Sequence, residues 1–193
     1  MELFWSEFES SWGSMLLVSS HRGIIKVTLP DSNSHQEVLE SLIKKKEHIV
    51  THKENSILYQ CKKQLEDYFE GICFRFNLPL SMLGTDFQVS VWKHLQLIPF
   101  GETWSYKTVA KSIGNEKASR AVGNANNKNP LPLLVPCHRV IGENGKLTGF
   151  AGGLTLKQKL LDFEKNLSQS SDFRSSGRDF ALQPSLRHIT PQH

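Results

Sequence analysis

Cys137, His138 and Arg139 place a thiol, an imidazole and a guanidinium on consecutive positions. A thiol is a nucleophile only as its thiolate, and neighbouring cations lower its pKa. The triplet therefore predicts a cysteine drawn toward the thiolate by a positive field. Pro136 fixes one backbone dihedral and removes a donor, which stiffens the turn presenting the sulfur. Leu133-Leu134-Val135 before it and Val140-Ile141 after it are apolar, so the motif ends a buried run. On these residues alone two readings stand: a reactive thiol, or a small buried cysteine beside a surface turn.

A third group lies near the end of the last periodic segment. Thr155-Leu156-Lys157-Gln158 has the form of a capping box, and Leu156, Leu160, Leu161 and Glu164 share one face of the helix it would open. A carboxylate on an apolar stripe is costly to bury unless it is paired. Glu164 either sits at a frayed helix end in water or receives a hydrogen bond from an imidazole, for which His138 is the candidate. In the second case Cys137 attacks, His138 takes the thiol proton directly or through water, and Glu164 holds the ring. That is the nucleophile, base and orienter of covalent catalysis. Proteases and amidases use the same triad, so it does not identify the substrate.

The elements upstream narrow the choice. Ser105 can cap a helix running to about Ile113, with Tyr106, Val109, Ala110 and Ile113 on one face. After Gly114-Asn115 a second helix is expected from about Lys117 to Asn126. Its buried face would be Ala118, Ala121, Val122 and Ala125, with Arg120, Gly123, Asn124 and Asn127 outward. Two short helices joined by a glycine turn are the pattern of a helix-turn-helix. From Lys107 to Lys128 five basic residues (Lys107, Lys111, Lys117, Arg120, Lys128) stand against one acid, Glu116. This excess suits a phosphate backbone, although a merely soluble helix pair has the same look. Asn129-Pro130-Leu131-Pro132 then leads into the cysteine run, and Gly149-Phe150-Ala151-Gly152-Gly153 forms a glycine-rich loop where a flat ligand could stack on Phe150.

The first half reads differently. Leu16-Leu17-Val18 and Ile24-Ile25-Lys26-Val27 flank a turn at His21-Arg22-Gly23, a strand hairpin. A polar helix follows from Ser34 to about Lys46. A second, capped by Asn55 or Ser56 and stopped by Gly71, carries Ile57, Leu58, Cys61, Leu65, Tyr68 and Phe69 at helical spacing, which makes Cys61 a core residue. Phe74-Arg75-Phe76-Asn77-Leu78 alternates like a strand. After a break at Pro79 to Gly84, Thr85-Asp86-Phe87-Gln88 is a capping box for a helix ending before Pro99-Phe100-Gly101.

With 193 residues and 38% hydrophobic content, the chain can build one large domain or two small ones. Three cysteines, few and odd in number, argue against a disulfide framework and for a reducing, intracellular setting, cytoplasm or nucleus according to source. The opening residues show no signal-peptide pattern, and no apolar run approaches the ~20 residues of a membrane span. There is no zinc-type spacing of Cys and His, so no metal is expected. The net charge of +4 permits nucleic acid as a partner without requiring it.

Pro136-Cys137-His138-Arg139-Val140, preceded by Asn129-Pro130 and followed by the glycine-rich loop, resembles the O6-alkylguanine-DNA alkyltransferase family. The likeness runs from about Phe87 to Glu164 and includes Ser105-Tyr106, Arg120-Ala121-Val122-Gly123 and Gly152-Gly153-Leu154. It implies an α/β (α+β) protein: a ribonuclease H-like strand and helix domain over 1–80 and a mostly helical DNA-binding and active-site domain with the helix-turn-helix over 85–166. The Ser-, Gln- and Arg-rich stretch beyond Asn166 has no periodicity and reads by its composition as a flexible tail over 167–193. The likeness implies stoichiometric, irreversible transfer of an alkyl group from O6-alkylguanine in double-stranded DNA, with O4-alkylthymine a further possible substrate, to Cys137 itself. His138 and Glu164 would activate the thiol through a water. Tyr106 would donate to the flipped guanine, Arg120 would fill the space it leaves, and Asn129 would be the hinge to the recognition helix. Backbone groups of Cys137, Val140 and Ala151 would line the guanine pocket, with Phe150 stacking and Lys157 nearby. Ala118, Ser119, Gly123 and Asn124 complete the DNA-facing set. No cofactor, no membrane and a monomer are implied. The chain departs from the family at Phe150, where tyrosine is usual, and at Lys128, often glycine. A non-catalytic lesion sensor of the same family is the alternative, as is a cysteine hydrolase, which would leave the helix-turn-helix unexplained.

Overall fold

The computed structural model describes residues 1–30, 34–46 and 48–170. Its first half is a four-stranded sheet made of β1 (Glu2–Ser10), β2 (Gly13–Ser20), β3 (Gly23–Val27) and β4 (Ile49–His52), in the order β3-β2-β1-β4. β1 and β2 pair antiparallel, Phe4 opposite Ser19 and Phe8 opposite Met15, whereas β4 runs parallel to β1. A parallel neighbour needs a crossover, and α1 (His35–Lys46) supplies it.

Helices cover both faces of this sheet, which explains why β2 is buried along six consecutive residues instead of alternating. Leu3, Leu16, Val18 and Ile25 point to α1, against Val38, Leu39 and Leu42. Phe4, Met15, Leu17, Ile24 and Val27 point the other way, into the main core with Leu58, Cys61 and Leu65 of α2 (Ser56–Phe69). Asn55 caps α2 by accepting from the Leu58 amide at 2.9 Å. Cys61 is buried in that stripe as its spacing suggested, and burial pushes its thiol up to about 12.

The segment 74–78 is not a strand. Phe74, Phe76 and Leu78 are half-buried against the core, which accounts for their alternation, but no ladder forms. The outer edge of β3 is taken by the residues just after it: the Ile24 amide donates to Pro79 O (2.8 Å) and the Ser81 amide to Ile24 O (2.8 Å). Gly23 permits this approach. At φ +155°, a Cβ there would stand 2.5 Å from the Pro79 carbonyl oxygen. The same strand receives the second half, with the Val27 amide donating to Pro130 O at 3.0 Å.

The second half is helical. α3 (Asp86–Leu95) begins at the Thr85–Gln88 capping box and buries Val91, Trp92 and Leu95. β5 (Trp104–Ser105), α4 (Tyr106–Ser112), a 3₁₀ turn at Glu116–Ala118 and α5 (Ser119–Asn127) follow. A second 3₁₀ turn, Cys137–Arg139, leads into β6 (Val140–Ile141) and then α6 (Gly153–Gln169). α6 starts two residues before Thr155, capped by Gly152 without a side-chain bond, so the capping box expected at Thr155 is not formed. The helix also continues through Gln169. Residues 167–169, expected in the tail, are therefore helical, and 171–193 lie outside the described residues. Among the described residues no helix is long and apolar enough to cross a membrane, and no cluster of three or more His, Cys, Asp or Glu could hold a metal ion.

Candidate active site

Residues 131–140 are all buried, so the Cys–His–Arg triplet comes to the site through the core and not along the surface. Val135 donates to Leu131 O (2.8 Å) and the Cys137 amide to Val135 O (2.7 Å). These tight turns hold Leu133 at φ +70°, which non-glycine residues rarely adopt. β5 and β6 pair parallel, Trp104 beside Val140 and Ser105 beside Ile141. That short pairing places Tyr106, the first residue of α4, next to the exit from the cysteine turn. α3 and α6 pack against the turn from other sides.

Glu164, fully buried on α6, is the hub of the site. Its Oε1 accepts from Tyr68 Oη (2.7 Å), His138 Nε2 (2.8 Å) and Arg139 Nη2 (2.9 Å); its Oε2 accepts from Arg139 Nε (2.8 Å) and the Gly101 amide (3.2 Å). Burial acts to raise its pKa, but the His138 and Arg139 interactions outweigh it and hold the carboxyl well below the usual range. His138 is itself pushed down, chiefly by burial, and so is neutral at pH 7. The Arg139 guanidinium is then the charge that keeps Glu164 ionised. A carboxylate only accepts, so the imidazole hydrogen is on Nε2 and Nδ1 carries the lone pair. That Nδ1 is buried without a hydrogen-bond partner in the protein, the state of a base ready to take a proton.

The expected positive field around Cys137 is cancelled, and this reverses the pKa expectation. Arg139 is bonded to Glu164, with Nη1 on Ile98 O at 2.7 Å and its guanidinium 5.6 Å from the Phe100 ring centroid. His138 is neutral. Burial therefore dominates and pushes the Cys137 thiol up to about 11, opposed by a hydrogen bond from Asn129 and the charge of Lys157. The resting thiol is protonated. Lys157 is also buried, donating to Val140 O (2.6 Å) and Thr148 O (2.8 Å), and burial lowers its pKa to about 8. It ties the wall after the cysteine turn to the start of the glycine-rich loop.

Two amides fasten α5 to this turn. Asn126 Nδ2 donates to Cys137 O (3.3 Å) and Asn129 Nδ2 to Val135 O (2.8 Å), while Asn129 Oδ1 accepts from the Leu131 amide (3.0 Å). The inward face of α5 differs from the expected one. Val122, Ala125 and Asn126 are buried, Ala118 is half-buried, and Ala121 is exposed. The helix starts at Ser119 after a 3₁₀ turn, and its face follows Val122, Ala125 and Asn126 at i, i+3, i+4, leaving Ala121 outside the stripe. Arg120 and Asn124 are exposed, Ser119 is half-buried, and Gly123 sits against the Tyr106 ring, where a Cβ would make ordinary contact at 3.7 Å. Tyr106 Oη accepts from Thr148 Oγ1 at 3.2 Å. Phe150 is half-buried and Ala151 exposed on the loop beyond.

Sequence reasoning missed Tyr68, Gly101 and Asn126. Tyr68 was legible only as one apolar position of α2, since a helical stripe does not say where a hydroxyl ends. Gly101 had a signal, a glycine closing Pro99-Phe100-Gly101: its φ is +77°, and a Cβ there would meet Ser168 Oγ at 2.5 Å. Asn126 had none beyond its type.

Two family models match the chain. The 6-O-methylguanine DNA methyltransferase ribonuclease-like domain spans residues 3–82, and the DNA binding domain of the same methyltransferase spans residues 86–166. A methylated-DNA–protein-cysteine methyltransferase of Methanosarcina acetivorans is 44% identical over 162 residues, 84% of this chain and 98% of the relative. The constitutive enzyme of that name from Bacillus subtilis is 52% identical over 115 residues, 59% of this chain and 70% of the relative. Among solved structures, the Mycobacterium tuberculosis O6-methylguanine methyltransferase superposes with a TM-score of 0.74 at 34% identity, covering 90% of this chain and 99% of that one. A complex of the mycobacterial protein OGT with DNA gives 0.70 at 36%, covering 86% and 94%. With both halves matched and the cysteine turn, its histidine and its carboxylate in one buried cluster, the chain belongs to the 6-O-methylguanine DNA methyltransferase family.

Proposed function

We propose that this protein repairs DNA by moving the alkyl group of O6-alkylguanine onto its own Cys137, once per molecule. The observation that carries the reading is that Cys137 and the neutral His138 that follows it are both buried, with the imidazole Nε2 fixed on Glu164 at 2.8 Å. His138 Nδ1 takes the thiol proton, directly or through a water. The sulfur then bonds to the alkyl carbon as the carbon–O6 bond breaks, and the bond's electron pair stays with guanine, which recovers the proton. The product is a thioether, with no acyl or phosphoryl bond for water to cleave, so there is no turnover. With a thiol at about 11, only about one in ten thousand is ionised at pH 7. Reaction therefore waits for a substrate seated against the sulfur.

Double-stranded DNA is the partner, met by a monomer. The O6 substituent cannot reach a protein sulfur from inside the stack, so the base must be extruded. The exposed Arg120 would occupy the space left, a device of minor-groove binders, and the small and amide residues Ala118, Ser119, Gly123 and Asn124 would let α5 lie close. Tyr106 would donate to the extruded guanine, and Phe150, Ala151, Val140 and Lys157 would shape its pocket. Asn129 would tie α5 to the reacting turn.

Mass spectrometry after mixing with DNA containing O6-methylguanine tests this. A methyl mass on the Cys137 peptide, one per protein, and none on Cys137→Ser is expected. Binding of that DNA with an unmodified Cys137 peptide would instead make the protein a lesion sensor.

A further inference from the structure

Three donors converge on Glu164 Oε1, whereas a carboxylate oxygen offers about two lone-pair directions. One of the three, the Tyr68 hydroxyl at 2.7 Å, comes from α2 in the other half of the chain. Its ring is fixed independently of that bond, edge-on to Phe69 and Phe100 and tilted against Phe76, and it is 1% exposed. The hydroxyl can therefore neither turn to water nor follow Glu164 if the carboxylate moves. It shares an oxygen with His138, so whatever it withdraws from that oxygen is unavailable to the imidazole. We propose that Tyr68 is a positioning residue of the alkyl transfer: it moderates the pull of Glu164 on His138 and so keeps the imidazole a neutral proton acceptor.

The charges that act on the ring fit this assignment. Glu164 and Lys157 act on it from α6 and Arg139 from its own turn, while Tyr68 of α2 reaches it through the shared Glu164 oxygen. Of these only Glu164 favours the imidazolium. Removing the Tyr68 hydroxyl frees lone-pair density on Oε1, strengthens the bond to His138 and makes the ring easier to protonate. The hydroxyl itself stays protonated, since burial and the Glu164 charge push it well above the usual phenol range.

The inference rests on the alkyl-transfer reading, and the test separates the two. Wild type and Tyr68→Phe are compared for the rate of labelling by O6-benzylguanine across a pH series. The phenylalanine variant should lose about tenfold on the acid side, its acid limb displaced upward by about one pH unit, and match wild type on the alkaline side. Labelling of wild type with a superposable profile for the variant overturns the inference and leaves the function intact, as does a uniform loss at every pH, which is the mark of a packing defect. In unreactive Cys137→Ser, nitrogen-15 NMR of His138 should show the same upward move when Tyr68→Phe is added. An unmoved His138 resonance overturns the proposal even if wild type never labels.

Discussion

Glu164 has the most to lose among the site residues, because five hydrogen bonds and a buried guanidinium depend on it. Glu164→Gln would leave Arg139 charged in the core, a loss of about 3–5 kcal/mol, read as a lower urea midpoint. The pH dependence has a definite sign. Folding holds Glu164 ionised, so its contribution is complete above the ordinary carboxylate pKa of about 4.3 and drains away as pH falls below it. Folding also holds His138 neutral, so the unfolded chain binds the extra proton first and stability declines as pH drops through about 6.5. Urea midpoints across that range should show both losses in wild type and only the upper one in Glu164→Gln; a flat curve contradicts the assignment. Cys137, His138 and Glu164 were legible in the sequence because their types are rare on apolar stripes. The charge state was not. Whether Arg139 points at the sulfur or away from it is decided by Ile98 and Glu164, residues distant in sequence.

Thr85 illustrates what is legible at the level of elements. Its amide donates to Gln88 Oε1 (2.9 Å) and its Oγ1 accepts from the Gln88 amide (3.3 Å), the reciprocal pair that the four-residue pattern announces. Thr85→Ala should cost about 1 kcal/mol, lowering Tm by about 2–4 °C, while the labelling rate of Cys137 stays the same. Slower labelling would mean that α3 positions the turn dynamically as well as by packing. The same pattern at Thr155 misled, since nothing in it forbids the helix from starting earlier, at Gly153. β4 escaped notice because it is four residues long, and it is a strand only through its pairing with β1. Phe74–Leu78 has the opposite fault: it alternates, but the β3 edge is taken by Pro79 and Ser81 just after it. Local chemistry sets caps and turns, but strand pairing is a property of two segments.

The whole molecule closes along an aromatic seam that no single segment reveals. Trp12, from the β1–β2 turn, lies 5.4 Å from Phe69 of α2 and 5.3 Å from Phe163 of α6, with Lys159 Nζ 3.8 Å above its ring. A strand-rich first half and a helical second half could be read from periodicity. That the first half seals the reacting centre could not, because this depends on where α2 lies against α6. The seal has an electrical consequence. Glu164 and His138 have no exposed surface, so dissolved ions cannot come between them, whereas Lys107, Lys111, Lys117, Arg120 and Lys128 lie in the screening atmosphere of the solvent. Ionic strength should therefore divide the encounter from the chemistry. Between about 50 and about 500 mM salt, labelling by free O6-benzylguanine should hold steady while the rate on alkylated DNA falls steeply. If both fall together, the centre is in electrical contact with the solvent. If they part, sodium chloride alone is enough to time the arrival of the lesion separately from its repair.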